Sequence, residues 1–252
     1  MTRGGPWKPD VSSPTAAATM LVELRVPYLH GPDSGFDRTL GDAWRRLDAS
    51  EQRVLMHGVV LALPRLDGRT RAECLSFALF HAHPAHAEVF ESVIEPWPTW
   101  ADEPSLVGVQ DRTGTCGHVW SKVLLRVFPT PDGPHFSRLV AHAERHGAES
   151  AVLETFLDTG LPARALDLLR QMVARGCPDL SPVRCAHVFG RAALHGVVER
   201  RRLMEVNRLM AGASKRTRGA WEHSLARILE ASPELWAACQ SVLTAEPPAD
   251  GA

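Results

Sequence analysis

Apolar residues in this chain recur at three- and four-residue intervals, in short runs that proline and glycine interrupt. That is the pattern of amphipathic helices joined by tight connections. It is clearest between Ser150 and Asp179. Two helices are predicted there, Ala151–Leu157 and Pro162–Arg175, joined by Thr159-Gly160. Leu166, Leu169, Met172 and Val173 fall on one face of the second helix, and Gly176 and Pro178 stand where a C-cap and a helix breaker belong. Ala165 and Leu168 extend the apolar surface, so this hairpin cannot cover itself and must stack on neighbours of its own kind.

Similar stripes run along the rest of the chain. Ser50 precedes a helix predicted over Glu51–Leu63, with Val54, Leu55, Val59, Ala62 and Leu63 on its apolar side and Pro64 closing it. Thr70 and Glu73 have the spacing of a capping box, opening a helix through His81 that presents Cys74, Leu75, Ala78 and Leu79. Pro84 suits the first turn of the next helix, whose Val89, Phe90, Val93 and Ile94 share a face. The rhythm then breaks, because Pro96-Trp97-Pro98-Thr99-Trp100 and Pro104 cannot continue a helix, leaving an irregular insert over 96–114. Helices resume near Gly117–Phe128, Phe136–His146, Val183–Leu194, Glu199–Met210, Arg218–Ala231 and Pro233–Leu243. Five prolines before residue 37 predict an extended N-terminal arm over 1–36, with a short ordered piece at Met20–Val26, and 245–252 reads as a tail. Period-two alternation is almost absent. The expected fold is therefore all-α, a body over 37–244 of helical hairpins stacked as a short α-solenoid.

The spacing of Gly160, Ala165, Leu166, Leu168, Leu169, Met172, Gly176, Pro178 and Asp179 resembles one pentatricopeptide repeat over residues 146–179, with one residue fewer before Pro178. Tetratricopeptide repeats are a near relative of that unit. In the following window Val183–Leu194 suits a first helix, but Arg200-Arg201-Arg202 stands where a second would begin with small, apolar residues. The resemblance implies an organellar ribonucleoprotein, such as a mitochondrial ribosome, and contact with RNA. It also implies base reading at Ser150 and Asp179, one base for one repeat, which is too little for sequence-specific binding.

Charge adds a second candidate site. Glu88 to Asp111 holds six acids and no Lys or Arg, whereas Glu199 to Arg218 holds seven bases against two acids. The seven are Arg200, Arg201, Arg202, Arg208, Lys215, Arg216 and Arg218, a set that suits RNA phosphates or an acidic protein surface. The bland alternative is a solvated helix face in an arginine-rich chain, since 25 Arg stand against 3 Lys. Trp97 and Trp100 in the proline-rich insert suit either packing over a helix groove or contact with a partner protein.

Five scattered cysteines, Cys74, Cys116, Cys177, Cys185 and Cys239, do not form the dense framework of a small secreted domain, which points to an intracellular reducing compartment. The mitochondrial matrix and the cytoplasm are the two candidates. The longest apolar run is Val59–Leu63, so no membrane insertion is expected. His81, His83 and His86 are the one cluster with metal-ligand chemistry, yet His81 and His83 fall on different sides of a helix end. Neither Cys116-Gly117-His118 nor Cys177, Cys185 and His187 has paired Cys-x-x-Cys knuckles, and no metal or other cofactor is expected. Nucleophile-elbow, phosphate-loop and dinucleotide motifs are also missing. Two functional readings remain: a non-enzymatic structural or adaptor subunit of a larger assembly with RNA phosphate contact, or a bacterial scaffold or regulatory protein that binds a protein or peptide and no RNA.

Overall fold

The computed structural model describes residues 7–23, 36–95, 97–105, 115–176, 182–194, 197–211 and 215–243. Among them lie thirteen α-helices and no strand, only an isolated bridge between Pro104 and Thr115. The chain divides into two compact units, residues 1–148 and 149–252.

The first unit holds α1 (Pro14–Val22), α2 (Phe36–Trp44), α3 (Ala49–Ala62), α4 (Gly68–His81), α5 (Ala87–Glu91), α6 (Cys116–Val127) and α7 (Phe136–Arg145). Helix α1 occupies part of the segment expected to be extended. Pro14 starts it, where a missing N–H costs nothing, and the Ser13 hydroxyl accepts from the Ala16 N–H at 3.1 Å. Ala17, Ala18, Met20 and Leu21 are buried as α1 packs on α3. Gly58 permits that approach: a Cβ there would lie 2.4 Å from the Ala17 Cβ and 3.0 Å from the Ala18 backbone nitrogen. Gly58→Ala would relieve the helix penalty of glycine, roughly 1 kcal/mol, but must push backbone against backbone. We expect a net loss of about 1–3 kcal/mol in a urea titration. A gain of stability would mean that α1 is not seated on α3.

Two helix starts differ from the sequence reading because aspartate outcompetes Ser and Thr for the positive helix end. The box on α3 joins Asp48 and Glu51, with Glu51 N–H donating to Asp48 at 2.9 Å and Asp48 N–H donating to Glu51 at 3.2 Å. On α4 the cap is Asp67, which accepts from the N–H groups of Arg69 and Thr70, each at 3.0 Å, and from the Thr70 hydroxyl at 2.8 Å. Thr70 lies inside the first turn rather than capping it, and its bonds hold the Asp67 carboxyl below its ordinary range. Helix α5 is shorter than its apolar stripe: Pro84–His86 forms a 3-10 turn and the helix stops at Glu91, though Ile94 is still buried. Helix α6 is buried nearly all round and touches α4, α5, α7 and the 3-10 turn Thr99–Asp102, which makes it the centre of this unit's core.

The second unit holds α8 (Glu149–Asp158), α9 (Pro162–Arg175), α10 (Pro182–Ala193), α11 (Val197–Ala211), α12 (Lys215–Ala231) and α13 (Pro233–Leu243). The hairpin α8–α9 forms as the spacing predicts, with Gly160 at φ 75° in its turn. Gly176, at φ 65°, donates its N–H to the Met172 and Val173 carbonyls and ends α9. Ala165, Leu166, Leu168, Leu169 and Met172 are buried. Helix α8 packs on α9 and α10, α9 on α10 and α11, α10 on α11, α12 and α13, and α11 on α12 and α13. Helix α10 is enclosed most, with Cys185, Ala186, Val188, Phe189 and Ala192 in the core.

Candidate functional site

The basic segment spans α11 and the start of α12. Arg202 is engaged within the unit, its Nε 3.1 Å from Asp167 on α9. The reciprocal pair, Arg170 on α9 with Glu205 on α11, closes at 3.0 Å. These pairs join α9 and α11, and Arg202 is half-buried, so it is less available to a partner than the exposed Arg201. Arg201 and Arg208 are exposed and seven residues apart. Two helical turns, about 10 Å, separate them along one face. Lys215 and Arg218 are exposed on the first turn of α12, which carries no acid. Cations at the positive end of a helix dipole are poorly placed unless an anion joins them. The side chains of Arg200 and Arg216 lie outside the described residues.

Of the two base-reading positions, only Ser150 is among the described residues. Ser150 has no exposed surface in α8, so its hydroxyl cannot reach a base, and Asp179 lies outside the described residues. Trp97 and Trp100 sit in different settings. Trp100 is buried, with the Arg71 guanidinium 5.7 Å from its ring and Trp120 in edge contact at 5.6 Å. Arg71, itself buried, donates to the Leu63 carbonyl at 2.9 Å, to the Leu66 carbonyl and to Glu103. That clasp fixes the insert to α4, and nothing in the local sequence announces it. Trp97 is half-buried over the His142 ring, with centroids 3.8 Å apart. Both tryptophans help line a mostly apolar pocket of about 280 Å³ with Val60, Leu63, Val93 and Trp120. The indole N–H groups of Trp100 and Trp120 are buried without a hydrogen-bond partner.

Beside Trp97 lies a serine–histidine pair with catalytic spacing, Ser121 Oγ to His142 Nδ1 at 2.7 Å. Ser121 Oγ also lies 2.8 Å from the Gly117 carbonyl. A carbonyl only accepts, and serine has one proton. Ser121 therefore donates to Gly117, and His142 Nδ1–H donates to Ser121. A nucleophilic serine needs the opposite arrangement. The remaining nitrogen, His142 Nε2, is buried without a partner. Burial pushes the His142 ring down to about 4, helped by His146 and Arg145 and opposed by Asp102. Stacking on Trp97 would favour a cation by up to about 2 kcal/mol. It loses to desolvation.

The metal candidate is answered by hydrogen bonding. His86 Nδ1 accepts from the His83 N–H at 3.1 Å, and His83 Nδ1 accepts from the Ala85 N–H at 3.3 Å. Each neutral ring has one lone pair, and both lone pairs are occupied, so neither can ligate a metal without releasing the backbone. Among the described residues no group of three or more His, Cys, Asp or Glu could hold a metal ion. Burial raises the thiols of Cys74, Cys116 and Cys239, the last to about 11, which leaves them unreactive near neutral pH. Cys177 lies outside the described residues. No described helix is long and apolar enough to cross a membrane. In comparisons with known proteins, the chain matches no family model, no curated protein and no solved structure.

Proposed function

We propose that this chain is a non-enzymatic helical scaffold whose second unit is a short stack of hairpins that contacts RNA phosphates. The packing order supports the stack. With α8–α9, α10–α11 and α12–α13 as hairpins, first helices meet first helices (α8 with α10, α10 with α12), and second helices meet second helices (α9 with α11, α11 with α13). Nearest-neighbour stacking of this kind is how repeat arrays bury surface that a single hairpin leaves open. The observation that carries RNA contact is the exposed set Arg201, Arg208, Lys215 and Arg218, with its two α12 members at a helix end that favours anions.

Ser150 is sealed in the core, so binding acts through phosphate and carries little sequence preference. A structural or adaptor subunit of a ribonucleoprotein, in an organelle such as the mitochondrion, fits this chemistry. Protein recovered from its native cells should then carry RNA, seen as excess nucleic-acid absorbance that nuclease removes.

A second reading, a scaffold that binds a protein or peptide and no RNA, is favoured by the mostly apolar pocket that Trp97 and Trp100 help line. Recovery free of nucleic acid, together with a protein partner lost on Trp97→Ala, would select that reading.

A further inference from the structure

The first unit carries a further pocket of about 380 Å³, lined by Trp44 of α2, Gln52 and Arg53 of α3, His81 at the end of α4, and His83 and His86 around the following 3-10 turn. It lies in a different unit from the basic face, and nothing in the RNA reading uses it. We propose that this pocket binds a small oxyanion, carboxylate or phosphate, through the Nε2–H groups of His83 and His86 and the Arg53 guanidinium, with Trp44 as the wall for an attached flat group.

The donors follow from the local backbone. The Nδ1 atoms of His83 and His86 both accept backbone N–H groups, so the nitrogen each ring has left is Nε2, and in the neutral ring it carries the proton. The hydrogen bonds that exclude a metal therefore leave two donors. Trp44 is buried and held by Phe77 at 5.4 Å, His81 at 5.3 Å and His86 at 5.8 Å between ring centroids, so the wall is rigid.

The charge around the pocket has one dominant sign. His81 is pushed down by burial and then by Arg45 and Arg126, and His86 by burial and then by His83 and Arg53. The acids nearby are already engaged, Asp42 with Arg45 and Glu88 with Arg53. Arg53 and Glu88 are both well exposed, so their pair is weak and an oxyanion can compete for the guanidinium. An anion in the pocket would draw a proton back onto His81, whereas His86 could gain one only at Nδ1, which accepts the His83 N–H. Its affinity must then rise as pH falls from about 7 to 5.

The test is a titration of the full chain with benzoate and with inorganic phosphate, followed through the imidazole nitrogen resonances. Benzoate stays ionised over that range and carries the pH arm. We expect saturable shifts at His83 and His86 at millimolar ligand, about tenfold weaker binding in Arg53→Gln, and tighter binding in Glu88→Gln, which frees the guanidinium. His83→Asn keeps a cap for the 3-10 turn but removes a donor, and should weaken binding without unfolding the chain. Saturation by benzoate alone assigns the flat group to Trp44. Saturation by both probes in competition assigns recognition to the oxyanion itself. No saturable shift with either probe, an Arg53→Gln affinity equal to the parent, or benzoate affinity that falls on acidification would overturn the proposal.

Discussion

Replacing Leu169 by Ala should lower the stability of the second unit by about 2–5 kcal/mol, the range for deleting a buried leucine side chain. Leu169 has no exposed surface, and its helix packs on α8, α10 and α11 at once, so the hole cannot close by moving one neighbour. Urea unfolding followed by circular dichroism provides the check. A cost under about 0.5 kcal/mol, the scale of a neutral surface change, would mean that α9 turns this face to solvent and the stack is not formed.

Acid should unfold the first unit ahead of the second. His81, His86, His142 and His146 all lie in the first unit, and each is held below its ordinary value of 6.5, chiefly by burial. The unfolded chain therefore binds more protons than the native one below about pH 6.5, and stability must fall as pH drops through that window. For His142, pushed down to about 4, the lost stability approaches roughly 3 kcal/mol once the pH is below its native value. The urea midpoint of the first unit should be flat above about pH 7.5 and decline steadily below about pH 6.5. A midpoint that rises on acidification, or one unchanged down to about pH 4.5, would contradict burial of these rings in neutral form. His142→Gln should flatten the decline while leaving the second unit unaffected.

Helical periodicity, glycine C-caps and proline breaks were local enough to read in the chain, and α8, α9 and α13 stand close to where those signals placed them. What the sequence concealed was competition between neighbours. Asp48 and Asp67 took caps that Ser50 and Thr70 could have filled, because a carboxylate answers a helix dipole better than a hydroxyl. The prolines before residue 37 suggested extended chain, yet Pro14 sits where a helix tolerates it. The site was legible as residue types but not as partners. Arg202 looked equivalent to Arg201 until Asp167, thirty-five residues earlier, was brought beside it. The histidines at 81, 83 and 86 have metal-ligand chemistry by type alone, and only the 3-10 turn shows which two of their lone pairs are occupied.

The most direct test of the scaffold reading is the salt dependence of binding to single-stranded RNA. Four phosphate contacts from Arg201, Arg208, Lys215 and Arg218 predict a slope of log affinity against log salt near −3, at about −0.7 per contact. Changing all four to Gln should flatten the slope toward zero with helicity unchanged. A steep slope that survives those substitutions would place the phosphate contact elsewhere. The absence of RNA binding by the unmodified chain at physiological salt would contradict the account itself.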